Sequence, residues 1–443
     1  MLRIAAAAFA LALALPAPAQ QPNPREKKVR DDKAKVEADG YWIYNDLPRA
    51  FDEAKKTGKP MVVVLRCIPC EECVKLDDDL VNSDPVLRPL LDKFVRVRVV
   101  STNSLDLSLF QYDYDQSFAV FLLRDDGTIY GRFGTRSHRT NWIGDVSLPG
   151  LAKALEGALA LHSNYPRTPV GLAAKRGPAP EFATPEKFPT LTGKYGSKLN
   201  YEGNVVQSCI HCHQIGDAQK AFYRSKKEPM PEHVLFPYPH PKSQGLILDP
   251  KERATVSTVE PGSTAEKAGF LPGDAIQTLE GQPLLSMADV QWVLHRTAGT
   301  GGTLKAVVAR GGKSVELTWT LPAGWRRADN ISWRSSTWGL RRMATGGMLL
   351  ETVPADERPA GVPKDGMALR VKYLGGGNGP HAAARNAGFE QGDVLIAFDG
   401  KTDLPRETDL IAHGVTARKP GETVKVGVVR GGKTVELNLP MQE

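Results

Sequence analysis

"AEKAGFLPGDAIQTLEGQPL", Ala265–Leu284, returns further on as "AARNAGFEQGDVLIAFDGKTDL", Ala383–Leu404. "RGGKSVEL", Arg310–Leu317, returns as "RGGKTVEL", Arg430–Leu437. The offset is 119 residues from Gly269 to Gly388 and 120 from Arg310 to Arg430. That is the span of a domain, well beyond a solenoid unit. Each copy reads as a helix in Ala-x-x-Ala-Gly-Phe, a Gly-Asp turn, a strand and a Gly turn. A second helix and a hairpin around Gly-Gly follow. The second copy carries an insertion, "MATGGMLLETVPADERPAGVPKDG", between its apparent first strand and the repeated core.

Upstream the pattern changes. Asp46 is placed to cap a helix whose Ala50, Phe51 and Ala54 share one face, and Gly58 to stop it. "PMVVVL" is continuously apolar and β-branched, the mark of a strand buried on both faces. Cys67, Cys70 and Cys73 follow at once, then helical segments broken at Asp84-Pro85. "VRVRVV" and "FAVFLL" read as strands, Asp126-Gly127 as a turn, "TIYGRFG" as a return strand and "LPGLAKALEGALALH" as a helix. From Pro166 to about Gln244 the chain is rich in Pro, Gly, Lys and Tyr and weakly periodic around "SCIHCHQI".

These motifs carry resemblances. Residues 41–165 resemble exported thioredoxin-like proteins with "KP", a buried strand, C-x-x-C-x-x-L and "SDP" in this order. The matched pair is then Cys70 and Cys73, with Cys67 an addition to the pattern. The two repeats resemble PDZ domains of bacterial envelope proteins. The whole chain is similar to thioredoxin/PDZ proteins of certain bacteria, some of which carry selenocysteine near the thioredoxin motif. The fold class expected is multidomain α+β and α/β: a thioredoxin-like domain, a short cytochrome c-like segment, and two PDZ domains, each a small β-barrel with two helices. The boundaries expected are a signal peptide at 1–19, a charged linker at 20–40 and the thioredoxin-like domain at 41–165. A linker with the C-x-x-C-H segment at 166–244 and PDZ domains at 245–322 and 335–441 complete the chain.

The chemistry rests on the five cysteines, all in two clusters. A thiol at a helix start is acidified by unpaired amides and the helix dipole. Glu71 and Glu72 oppose this, so a reducing or neutral couple is expected, Cys70 attacking and Cys73 resolving. The family's cis-proline position aligns with Phe118, which puts a general oxidoreductase role in doubt. Three thiols at i, i+3 and i+6 also suit a soft ion such as Cu(I) or Zn(II).

"CIHCH" is the attachment pattern of c-type haem. Cys209 and Cys212 would form the thioethers, His213 would ligate the iron, and Met230, His233 or His240 would complete it. A structural zinc or a disulfide are the other uses of this spacing.

A PDZ groove takes an extended peptide as an added strand and captures its carboxylate in the loop before the first strand. That loop is expected near Gln244, Gly245, Leu246 and Ile247 in the first copy and near Trp338, Gly339 and Leu340 in the second. The partner is then an envelope or secreted protein offering a C-terminal or extended peptide. PDZ pairs often accompany exported serine proteases, but no Gly-x-Ser-x-Gly appears, which argues against that class.

"MLRIAAAAFALALALPAPAQ" has the charged, apolar and Ala-Pro-Ala parts of a secretory signal, so a periplasmic or secreted bacterial protein is expected. No later run approaches the roughly 18 apolar residues of a spanning helix. A net charge of +7 over 443 residues marks no nucleic-acid surface. The function expected is an exported thiol–disulfide or electron-transfer protein with covalent haem c and PDZ-recruited partners. Its rival is a non-enzymatic PDZ scaffold whose cysteines hold copper or zinc or form structural disulfides.

Overall fold

The structure, a computed structural model, describes residues 23–66, 68, 84–116, 118–138, 144–165 and 171–443. The signal peptide and Cys67, Cys70 and Cys73 lie outside the described residues.

The charged segment expected as a linker is a helix, α1 (Pro24–Asp39), capped by Asn23 and ended by Gly40 at φ 65°. It is tied down: Arg30 donates to the carbonyls of Tyr201 and Gly203 at 2.7 and 2.6 Å. Next come β1 (Ile43–Tyr44), α2 (Leu47–Thr57), β2 (Met61–Arg66), α3 (Leu87–Leu91), β3 (Val95–Val99), β4 (Phe118–Leu123), β5 (Ile129–Phe133) and α4 (Leu148–Ser163). The strand order is β1-β3-β2-β4-β5, with β2 parallel to β3 and antiparallel to β4.

Strand alternation then divides the core. Met61, Val63 and Leu65 join α2's Ala50 and Ala54 on one face, while Val62 and Val64 join α4's Leu151, Ala154 and Leu155 on the other. A strand covered on both faces has no solvent side, which is why "MVVVL" shows no polar alternation. Burying each such side chain contributes about 1.5–3 kcal/mol.

The segment 171–244 holds short helices α5 (Val205–Ser208), α6 (Cys212–Ser225) and α7 (Glu232–Leu235). It has no core of its own because it completes others: Ile210, Cys212, Ile215 and Ala218 pack into the α2 face of the thioredoxin-like sheet.

The first repeat forms β6 (Leu246–Leu248), β7 (Val256–Val259), α8 (Thr264–Lys267), β8 (Ala275–Leu279), β9 (Gln282–Pro283), α9 (Met287–Arg296), β10 (Gly302–Arg310) and β11 (Lys313–Leu321). The second begins with α10 (Thr337–Thr345) and continues as β12 (Met348–Thr352), β13 (Leu369–Leu374), α11 (Ala383–Asn386), β14 (Val394–Phe398), α12 (Glu407–Ala417), β15 (Thr423–Arg430) and β16 (Lys433–Pro440). The stretch expected as an insertion therefore contains a strand of the domain, β12, at the edge of a five-stranded sheet.

The repeated motifs have one shared physical role. Arg310 donates to both oxygens of Asp274 (2.7 and 2.6 Å) and to the Gly269 carbonyl. Arg430 does the same to Asp393 (2.7 Å each) and the Gly388 carbonyl. Each arginine thus clamps its Gly-Asp turn to the hairpin that carries it. Gly311-Gly312 and Gly431-Gly432, all at positive φ, make that hairpin turn in both copies.

Candidate functional site

The C-x-x-C-H segment is built as a packing element. Cys209 and Cys212 are both buried free thiols. The Tyr112 hydroxyl donates to Cys212 Sγ at 3.0 Å, and the peptide between the two cysteines is held by Asn103 and Thr102. Burial pushes the Cys209 thiol up to about 11, so it stays protonated. The void beside them is about 10 Å³, room for a single water. His213 lies half exposed next to Asp217 at 3.4 Å and stacks on His211.

The three expected distal ligands are committed elsewhere. Met230 is buried among Leu235, Phe236 and Leu340, His233 meets His295 edge to face, and His240 pairs with Asp145 at 3.3 Å. Among the described residues no three His, Cys, Asp or Glu side chains gather as a metal site. The thiols therefore do not fit a porphyrin, because Cys212 packs in the sheet's core as a small apolar group and Cys209 is buried against the Val100 carbonyl. Phe118 opens β4 opposite Arg66 and packs into the α4 face.

The peptide grooves are the other candidate. Gly245, at φ 77°, leads into β6, and a Cβ there would stand 2.2 Å from that of Ser263. Leu246 is buried and Ile247 half-buried as the strand begins. Gly347, at φ 91°, leads into β12, and a Cβ there would stand 2.0 Å from the His381 carbonyl oxygen. Only glycine fits either turn. This corrects the second loop: Gly339 and Leu340 lie inside α10, with Leu340 fully buried, and the counterpart of Gly245-Leu246 is Gly347-Met348.

Two family profiles match this architecture: a thioredoxin-like profile over residues 42–124 and a PDZ domain profile over 239–321 and 379–441. The chain carries one thioredoxin-like domain and two PDZ domains. Among curated proteins it is similar to a probable periplasmic serine endoprotease, DegP-like, from Marinomonas. The two are 31% identical over 43% of this chain and 37% of the relative. The periplasmic pH-dependent serine endoprotease DegQ of Escherichia coli is 29% identical over 44% of this chain and 38% of its own. A putative zinc metalloprotease of Brucella suis is 42% identical over 16% of this chain and 17% of its own. The chain thus spans less than two-fifths of these relatives.

The relatives overturn two expectations. Periplasmic proteases stand where a haem-bearing redox protein, or a non-enzymatic scaffold with metal-holding cysteines, was expected. Haem, zinc and copper lose their support, since DegP- and DegQ-type relatives are serine endoproteases and the described residues gather no metal-ligand group. Export stands: the DegP-like and DegQ relatives are periplasmic, and among the described residues no helix is long and apolar enough to cross a membrane.

One serine among the described residues sits beside both an Asp and a His. Ser137 Oγ donates to Asp145 at 2.7 Å, and His240 Nε2 lies 3.3 Å from the same carboxylate. In a catalytic triad the imidazole stands between serine and aspartate; here the carboxylate does, so the serine is not activated.

Sequence reasoning missed the polar knot that joins the units. Arg334 donates to both oxygens of Asp113 at 2.6 Å and to the Pro237 carbonyl at 2.7 Å. Ser336 donates to Asp115 through N–H and hydroxyl, each at 2.7 Å, and accepts from Lys220 at 2.5 Å. Residues 113–115 come from the thioredoxin-like domain, Lys220 from α6 and 334–336 from the lead into the second PDZ domain. Beside the knot a cavity of about 230 Å³ is lined by Tyr112, Tyr114, Lys220, Tyr238 and Trp292. The first PDZ domain is docked too: Asp289 pairs with Lys175 at 2.9 Å, both buried, and Trp292 Nε1 donates to the Ala174 carbonyl.

Proposed function

We propose that this protein serves proteolysis in the periplasm by capturing polypeptide segments with its PDZ pair. The observation that carries the reading is the repeated edge: a positive-φ glycine opening a short edge strand, β6 after Gly245 and β12 after Gly347, across from a helix. An extended chain added to such an edge gains main-chain hydrogen bonds whatever its sequence, which suits substrates of many kinds. The protease relatives support the setting, and the first PDZ domain is held on the thioredoxin-like unit, where Asp289 accepts from the Arg132 N–H at 3.2 Å and Ser286 donates to the Arg132 carbonyl at 2.5 Å.

The test is binding of fluorescein-labelled β-casein, an unfolded polypeptide, to the purified full chain by anisotropy. Saturable binding that is weakened by Gly245→Val and Gly347→Val together supports capture. Casein that binds equally to the double variant, or not at all to the native protein, ends the reading.

A further inference from the structure

Helix α10 packs against the helix that borders the second PDZ edge strand. Glu407, Ile411 and Gly414 stand at i, i+4 and i+7 of α12 and so form one face of that helix. Against this face lies α10, the segment just before β12. Arg341 of α10 donates to both oxygens of Glu407, at 2.8 and 2.7 Å, with both side chains 3% exposed. Leu340, Met343 and Ala344 pack with Ile411, Ala412 and Val415. At Gly414 the helices approach so closely that a Cβ would stand 2.9 Å from that of Ala344. The edge strand is also engaged, since the Leu350 N–H donates to Glu407 at 2.9 Å and Thr345 Oγ1 donates to the Met348 carbonyl at 2.8 Å.

Two physical facts bear on what can replace α10. A helix of 9 residues is shorter than the roughly 12–15 that hold helical form alone, so α10 persists only through its packing. Glu407 is buried, and a buried carboxylate that loses its cation is strongly destabilised. A ligand that displaces α10 without bringing a positive charge pays that cost. One that brings an arginine does not.

Resting on the capture reading, we propose that α10 is a built-in plug of the second PDZ groove, and that this groove selects extended polypeptides bearing an arginine toward Glu407 and an apolar residue toward Ile411 and Gly414. Glu407 and Gly414 lie seven residues apart on α12, about 10 Å at 1.5 Å rise per residue. Alternate side chains of an extended chain face the same way, so residues two apart, about 7 Å, can both face α12. The arginine therefore stands two positions before the apolar residue, its long side chain covering the remaining distance to Glu407. The plug's upstream end is anchored by the Arg334 and Ser336 contacts, and Gly346-Gly347 at its downstream end, both at positive φ, form the hinge.

The test uses the full chain and two fluorescein-labelled decapeptides ending in valine, one with arginine two positions before the terminus and one with glutamine there. The arginine peptide is expected to bind at least tenfold tighter, and at saturation to speed amide exchange over residues 341–347 at least tenfold. Arg341→Ala is expected to tighten the arginine peptide a further tenfold, and Glu407→Gln to abolish the preference. If Arg341→Ala fails to fold, the native protein's exchange response decides alone. Equal binding of both peptides, or arginine-peptide binding that leaves α10 protected, overturns the plug. β-casein separates the two readings: casein held by a chain whose α10 never responds sinks the plug and leaves capture standing. If casein is not held either, capture falls and the plug with it.

Discussion

Replacing Arg334 with methionine removes the cation at the centre of the inter-unit knot while keeping most of its volume. Arg334 is 2% exposed and touches Asp113, Asp115 and the Pro237 carbonyl, at 2.6, 3.6 and 2.7 Å. Burial is the largest influence on Asp113 and pushes its carboxyl up to about 6, even with the guanidinium pulling it down. In the unfolded chain an aspartate titrates near 3.9. Asp113 therefore takes stability from the native protein as pH rises from about 4 to about 6, and none above that.

Without Arg334 the Asp113 carboxyl is pushed up further, having lost the cation that lowers it. While it stays protonated, the variant goes on losing about 1.4 kcal/mol per pH unit where Asp113 leaves the native protein level, up to about 2.7 kcal/mol between pH 6 and 8. Adding about 1–2 kcal/mol for the orphaned Pro237 carbonyl and lost contacts, the expected loss is about 4 kcal/mol at pH 8 and under about 2 at pH 5.5. Urea titrations at both pH values measure it, followed by amide exchange over residues 105–116 and 330–345. Adding Asp113→Asn to the variant is expected to restore most of the pH 8 loss. A loss below about 1 kcal/mol at pH 8, or one equal at the two pH values, refutes this account of the knot.

Gly414→Val forces a side chain into the 2.9 Å gap at Ala344 and is expected to cost about 1–3 kcal/mol, seen as faster amide exchange in α10 with the β15–β16 hairpin unchanged. Cys209, buried and titrating near 11, is expected to react with iodoacetamide at pH 8 at least 100-fold more slowly in the native protein than in urea, by peptide mass mapping; equal rates would contradict its place in the core. His211 is pushed down to about 4, by burial first and His213 second. A histidine depressed in the fold adds stability that is complete above its unfolded value near 6.5 and falls as pH drops toward 4. The stability difference between native protein and His211→Gln should therefore shrink from pH 7 to pH 4.5, by up to about 3 kcal/mol, in urea titrations of both.

Local patterns were legible wherever the backbone's own period carried the signal. "PMVVVL", "FAVFLL" and the Gly-Asp and Gly-Gly turns read correctly because β-branched runs and positive-φ turns restrict few residues at a time. The carboxylate loop of the second PDZ copy was misread for the same reason. "WGLRRMAT" carries a Trp-Gly-Leu that looks like a loop, yet its Leu340, Met343 and Ala344 find an apolar helix to lie on. "CIHCH" misled in the opposite direction: a spacing that would suit haem is satisfied by burying Cys212 in the sheet's core and Cys209 beside the Val100 carbonyl.

Taken alone, the chain's order of residues determined that there are two like domains behind a strand-and-helix domain, and that the whole is built for export. Folding in three dimensions decided what those parts have available. Whether Cys212 meets solvent or Tyr112, whether Glu407 faces a visiting arginine or Arg341, and whether Asp113 finds Arg334 are pairings between residues far apart in the chain. No local period records such pairings, because desolvation and charge depend on what arrives from elsewhere in the fold.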